Sequence, residues 1–211
     1  MRVTKYEHAC LVVESDGTRL VIDPGSFTTP LLGLTHVAAV VITHEHADHW
    51  TPEHLRRILD DNPEARIYGP AGFADAASEF EVTTVGASDV HEVGPFVLRF
   101  FGEKHAVIHS SIPVIDNVGV MVNDTLFYPG DAFTVPEGAV GTLAVPSGAP
   151  WLKISEVIDY VTAVAPKRAF PTHQMVLSKI GQNMANERIA AAVEAAGGEF
   201  RALEPEESLD L

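Results

Sequence analysis

The chain has 211 residues, enough for a substantial core in one domain covering 1–211. Hydrophobic residues make up 46% and charged residues 20%, a globular balance that excludes a disordered chain. With 29 Asp and Glu against 14 Lys and Arg the formal charge is -15, which argues against nucleic acid and for a small or neutral substrate.

The first predicted element is a hairpin. In "ACLVVESDGTRLVIDPG" two β-rich runs flank Asp16-Gly17, a pair suited to a tight turn, and the second run ends in the turn cluster Asp23-Pro24-Gly25. Cys10, the sole cysteine, excludes an internal disulfide and reads as a small core residue. Glu7, His8, Glu14 and Asp16 interrupt the apolar runs here, so a signal-peptide core is not expected. No apolar run approaches the ~20 residues of a membrane span, and a cytoplasmic location is the expectation.

"VAAVVI" (37–42) is continuously apolar, as in a strand covered on both faces. "TPEHLRRILDD" follows as a helix, with Thr51 as N-cap, Pro52 at the first position and Leu55, Ile58 and Leu59 on one face. "ARIYGP" is a short strand and "AGFADAASEF" a short helix. From Phe96 the chain is β-rich again, through "FVLRFF", "VGVMV", "TLFYPGD" and "TLAVP", with Asn123-Asp124 as a turn. "KISEVIDYVTAVAP" has helical spacing at Ile154, Val157, Ile158, Val161 and Val164, "KRAFPTH" is a strand, and "NMANERIAAAVEAAGG" is a helix closed by Gly197 and Gly198. Two successive β-then-α regions predict two packed sheets with helices outside.

One stretch does not fit a plain buried strand. "VVITHEHADHW" places three histidines and two acids within six residues, directly after an apolar run. Such groups are buried only when paired or bound. His44 and His46, two apart on an extended segment, project to one side and suit one ion, while Asp48 and His49 can turn toward a second. Imidazole and carboxylate donors suit zinc, with manganese or iron as alternatives. Further donors stand at strand ends: His105 after "FVLRFF", Asp131 ending "LFYPGD" and His173 ending "RAFPTH". His109 competes with His105. The two share parity, and four extended residues span ~13 Å, so only one can reach a given ion. His105 is favoured because the apolar run stops just before it.

The order His-x-His-x-Asp-His, then His, then Asp in a "GD" turn, then His resembles the metallo-β-lactamase superfamily. "DGTRLVIDPG" also matches that family's strand ending in Asp, at Asp23, and the likeness runs from about Tyr6 to His173. Within the superfamily the chain is similar to small one-domain metal-dependent hydrolases of the ascorbate-phosphate lactonase kind. "YEHACLVVESDG" matches their opening "GHA" except for Glu7 in place of Gly. The resemblance implies a four-layer αββα sandwich with a site at one edge of two sheets. It implies that His44, His46 and His105 hold a first metal and that Asp48, His49 and His173 hold a second. Asp131 would bridge the two and Asp23 would orient a ligand histidine. For His8, a role beside the site and a plain core histidine both stay open.

The implied chemistry is a hydroxide bridging two zinc ions (manganese or ferrous iron as alternatives) that attacks a small-molecule ester, lactone or phosphoester. Asp48 would orient the nucleophile or move a proton. Three rivals are a mononuclear iron dioxygenase of the same fold, a nuclease and a non-catalytic metal-bound scaffold. The complete second donor set tells against the first, and the acidic chain without a nucleic-acid-binding extension tells against the second. Trp151 and Lys153 could line a pocket mouth suited to an anionic ligand, or Trp151 could be a packing anchor and Lys153 a solvated cation near a helix start; both readings stay open. Self-association is left open; nucleic acid and membrane are not expected partners.

Overall fold

The computed structural model describes residues 1–211. In chain order the strands of the first sheet are β1 (Arg2–Lys5), β2 (Leu11–Ser15), β3 (Thr18–Ile22) and β4 (Val37–Val41). Helix α1 (Pro52–Asp61), β5 (Arg66–Gly69), α2 (Ala71–Ala76) and β6 (Val82–Thr84) follow. The second half runs β7 (Val90–Val93), β8 (Phe96–Phe101), β9 (Gly119–Val122), β10 (Leu126–Tyr128), β11 (Thr142–Pro146), α3 (Ile154–Val164), β12 (Arg168–Thr172), α4 (Lys179–Ala195) and β13 (Glu199–Phe200). The last strand, β14 (Ser208–Asp210), returns to pair with β1.

Two seven-stranded sheets result, ordered β14-β1-β2-β3-β4-β5-β6 and β13-β12-β11-β10-β9-β8-β7. The alternation of side chains along a strand sorts residues into layers. Leu11, Val13, Leu20 and Ile22 join Leu98, Phe100, Val120 and Phe170 in the core between the sheets. Val12 and Val21, from the same two strands, instead pack with Leu55, Ile58 and Phe73 of α1 and α2. On the far side Val157, Val161, Ile189 and Val193 of α3 and α4 cover Phe127, Leu143 and Ala169. The order helix, sheet, sheet, helix is the expected four-layer αββα sandwich.

Local chemistry sets the element ends. Asp16 and Gly17 both have positive φ (50° and 74°), the twist that a two-residue hairpin between β2 and β3 requires. Thr51 caps α1 by accepting from His54 N at 3.2 Å, with Pro52 beside it. Helix α4 begins a turn earlier than its apolar pattern suggests, because Ser178 caps it by accepting from Gly181 N. The parallel pairs β3·β4, β10·β11 and β11·β12 bring their C-terminal ends to a common edge of the sandwich. No helix is long and apolar enough to cross a membrane.

Candidate metal centre

Every singled-out acid and histidine leaves a strand at that shared edge. Asp23 follows β3 and ties it to β4. Its carboxylate accepts from Thr43 N (2.8 Å) and Thr43 Oγ1 (2.6 Å), while its own amide donates to Val41 O. The turn after Asp23 lies so close to the histidine loop that a Cβ on Gly25 would stand 1.8 Å from the carbonyl oxygen of Asp48. Glycine is required there by contact. In the second sheet Asn117 holds the Asp131 turn, accepting from Asp131 N and donating to Pro129 O, both at 3.0 Å. His173 N donates to His8 O at 2.8 Å, which joins the edges of the two sheets. His8, Asp23 and His173 all have positive φ (57°, 48° and 59°), a sparsely populated region for residues with side chains.

The donors gather into two groups, joined by a third made of His44, His49 and Asp131. His44, His46 and His105 form one, with His44 Nε2 and His46 Nδ1 3.1 Å apart. His8, Asp48, His49 and His173 form the other, all pointing at Asp48 Oδ2: His8 Nε2 at 3.1 Å, His173 Nε2 at 3.4 Å and His49 Nε2 at 3.8 Å. Asp131 lies between the groups. Its Oδ1 is 3.3 Å from His49 Nε2, and its Oδ2 is 3.1 Å from His173 Nε2 and 3.4 Å from His105 Nε2.

The far nitrogens of the rings are fixed from behind. His49 Nδ1 meets Asp23 Oδ2 at 2.7 Å, His105 Nδ1 meets Ala106 O at 2.5 Å and His173 Nδ1 meets Gly148 O at 2.6 Å. His44 Nδ1 meets Thr43 Oγ1 at 3.1 Å, and that hydroxyl already gives its proton to Asp23. All four partners are acceptors, so each Nδ1 carries a proton and each Nε2 is left facing inward.

Electrostatics divide the groups. Burial, with His49 adding to it, holds His44 well below the usual imidazole range, and burial with the neighbouring His105 lowers His46. Burial also opposes charge on His49 and His173, but the carboxylates outweigh it. Asp131 and Asp23 raise His49 well above its ordinary value, and Asp131 with Asp48 raises His173 to about 9. Against the opposite pull of burial, His173 and His49 hold Asp131 far below the carboxylate range, and His173 and His8 do the same for Asp48. Burial lowers His8 to about 4, outweighing the hydrogen bond to Asp48.

A metal fits this arrangement. His49 Nε2, His105 Nε2, His173 Nε2 and Asp131 Oδ1 are buried and meet no partner in hydrogen-bonding geometry. Four bare donors converging in one buried place are costly unless a cation satisfies them. Nitrogen and carboxylate oxygen donors suit a transition ion such as zinc, manganese or iron. The family model described as a β-lactamase superfamily domain matches residues 2–173, from β1 to the last histidine of the cluster. The chain belongs to the metallo-β-lactamase superfamily. Protein Rv0786c of Mycobacterium tuberculosis is 42% identical over 184 residues, covering 84% of this chain and 86% of its own. Among solved structures, Igni18, a metallo hydrolase from Ignicoccus hospitalis, aligns with TM-score 0.75 at 18% identity over 99% of this chain and 97% of that one. CmlA, a diiron β-hydroxylase from Streptomyces venezuelae, aligns with TM-score 0.74 at 15% identity over all of this chain and 54% of its own. Both structural likenesses are of fold.

The structure brings together all seven expected donors, His44, His46, Asp48, His49, His105, Asp131 and His173. It separates the two competing histidines. His105 N donates to Ile115 O beside the Lys104–Asp116 bridge, which holds His105 at the edge, whereas His109 is exposed and its ring meets only Ser111. Asp23 stands behind His49 as the resemblance implied. The pocket-mouth expectation needs correction. Trp151 is buried and its indole N–H donates to Asp131 Oδ2 at 2.8 Å, so it anchors a carboxylate. Lys153 has a side chain 78% exposed and pairs with Glu156 (3.5 Å) at the start of α3, so it offers the centre no cation. Both residues therefore drop out as a reason to expect an anionic ligand. The contact Trp151 makes had no sequence signal beyond an aromatic residue in a loop after a strand. The largest cavity, lined by Asp89, Arg99, Phe101 and Met121 among others, contains none of the donors.

Proposed function

We propose that the chain is a hydrolase with two metal ions, most simply zinc, acting on a small-molecule ester, lactone or phosphoester. The observation that carries this reading is the set of bare, buried donors aimed inward from both sheets and spanned by Asp131. His44, His46 and His105 would hold one ion, Asp48, His49 and His173 the other, and Asp131 would touch both. When bound, such a pair supplies a water of lowered pKa and polarises a substrate oxygen.

The chain's own residues have distinct tasks around that chemistry. Asp23, Thr43, Ala106 and Gly148 set each imidazole's tautomer and direction. Trp151 fixes the Asp131 carboxylate by occupying one lone pair of Oδ2. Asp48, whose side chain is a quarter exposed, lies on the solvent side, where it can orient water or take a proton. Proteins of this fold include a diiron hydroxylase, CmlA, so iron is a competing cofactor; the complete second donor set disfavours a mononuclear iron centre.

The test is reconstitution with zinc, manganese or ferrous iron, followed by elemental analysis and a turnover screen. The panel would hold lactones, phosphodiesters, phosphorylated sugars and thioesters. Close to two ions per chain and hydrolysis of one class are expected. Failure to bind any metal in excess zinc or manganese would remove the reading. Two bound ions without turnover on any class would favour the scaffold.

A further inference from the structure

Four residues face the second metal position, and they imply two different centres. With the shared Asp131 already beside Asp48, His49 and His173, His8 as a ligand would be a fifth protein donor and would fill the position that water or substrate needs. If His8 is not a ligand, a coordination position stays open for water or substrate. The far nitrogen of the His8 ring decides between the two. In His44, His49, His105 and His173, Nδ1 faces an acceptor. In His8 it faces the backbone N–H of Met175, at 3.4 Å. A backbone amide can only donate, so Nδ1 of His8 must present its lone pair and the ring proton must sit on Nε2. That Nε2 is 3.1 Å from Asp48 Oδ2, a carboxylate oxygen that can accept it.

We propose that His8 is a positioning residue, with the tautomer opposite to that of His44, His49, His105 and His173, which donates Nε2–H to Asp48 and leaves a coordination position free at the second metal. The proposal rests on the two-metal reading above. Its neighbours support it. The His8 ring is fully buried, tilted at 47° against His173 with 3.9 Å between centroids, and packed edge-on against Phe27 at 4.8 Å. Its carbonyl accepts from His173 N, so the same residue fixes one ligand through its backbone and another through its ring. The positive φ of His8 makes both contacts from one position. One lone pair of Asp48 Oδ2 is taken by His8, and the other is left to face the ion.

The deciding measurement is a long-range proton–nitrogen correlation on the wild-type protein, both metal-free and loaded with cadmium-113. His8 should show a proton on Nε2 and no coupling to cadmium in either state, while His49 and His173 couple through Nε2 and keep their protons on Nδ1. A proton on Nδ1 of His8, or cadmium coupling at its Nε2, would overturn the proposal. Absence of cadmium coupling at His49 and His173 would instead indict the two-metal reading, and the tautomer of His8 would still be read in the metal-free protein. Two variants supply the energetic side. His8→Leu should weaken the second metal equivalent by roughly 10–100-fold and leave the first unchanged, as expected when a ligand loses its orienting hydrogen bond. His8→Gln, which keeps an N–H at similar reach, should recover most of that loss. A His8→Leu protein that binds both ions as tightly as wild type would overturn the positioning role.

Discussion

The two halves of the donor cluster share an edge and a residue type but are built on opposite electrostatics. His44, His46 and His105 have no carboxylate of their own apart from the approach of Asp131, and burial and mutual repulsion lower His44 and His46. Around His49 and His173 stand three carboxylates, Asp23, Asp48 and Asp131, and both rings are pushed toward the charged form. His44 and His46 in the first half are therefore pushed toward the neutral form that a cation needs. The second half fills its own charge deficit with protons, which an ion must displace. Histidines in the two halves thus give one position biased toward binding without proton release and one biased toward binding with it.

Removing the shared carboxylate should break the arrangement most severely. Asp131→Ala is expected to lose the second metal equivalent and lower turnover on an identified substrate by about 10²–10³-fold or more, the scale of losing one central electrostatic group. Elemental analysis and steady-state rates check this, and full turnover would show that Asp131 bridges nothing. His105→Ala attacks the first half instead. It should lose one metal equivalent and nearly all activity, whereas His109→Ala should keep both equivalents. The reverse stoichiometry would move the ligand role to His109.

The halves were also unequally legible in sequence. His44, His46, Asp48 and His49 could be read because they follow a continuously apolar strand, β4, where ionisable groups need a reason to be. His105, Asp131 and His173 could be read because each ends an apolar run. His8 could not be settled, since its role depends on an amide 167 residues away in the chain. The choice between the two readings of Trp151 was open for the same reason, its partner Asp131 being brought near only by the packing of β10 beside β11. In the fold, β6, β7, β13 and β14 carried no signal, and they are the four sheet edges. Each has two to four residues and little buried surface, so no apolar alternation marks it. β1, inside its sheet, also went unread, whereas the largely buried β4, β9, β10 and β11 could be read from their apolar runs.

A gentler change sharpens the comparison without removing any donor. Asp23→Asn keeps the size of the side chain behind His49 but removes the charge that makes the ring a strong donor. The second metal equivalent should weaken by roughly 10–100-fold, with the first unaffected. Titration against a competing chelator checks both affinities. Equal weakening of the two would mean that Asp23 acts by holding β3 to β4 through Thr43, and not through the ring.

The smallest effect expected is on the stability of the metal-free protein as pH changes. His49 is raised well above its unfolded value near 6.5, and His173 is raised to about 9. A raised pKa contributes stability that is fully present below the unfolded value and is lost as pH rises through the folded one. Asp48 and Asp131 are depressed, so their contribution is present above the unfolded carboxylate range and lost as pH falls. Burial depresses His8, His44 and His46, which costs stability as pH falls below about 6.5. The metal-free protein should therefore be most stable near neutrality, and its melting temperature should fall by a few degrees between pH 7 and 10, about 2–4 °C for each kcal/mol in a chain of this size. In the loaded protein the ions have replaced those protons, so that alkaline decline should flatten. Loading at pH 7 in weak buffer should release more protons with the second equivalent than with the first. Equal proton release with the two equivalents, or parallel pH–melting curves for the two forms, would mean that the two halves are electrostatically alike.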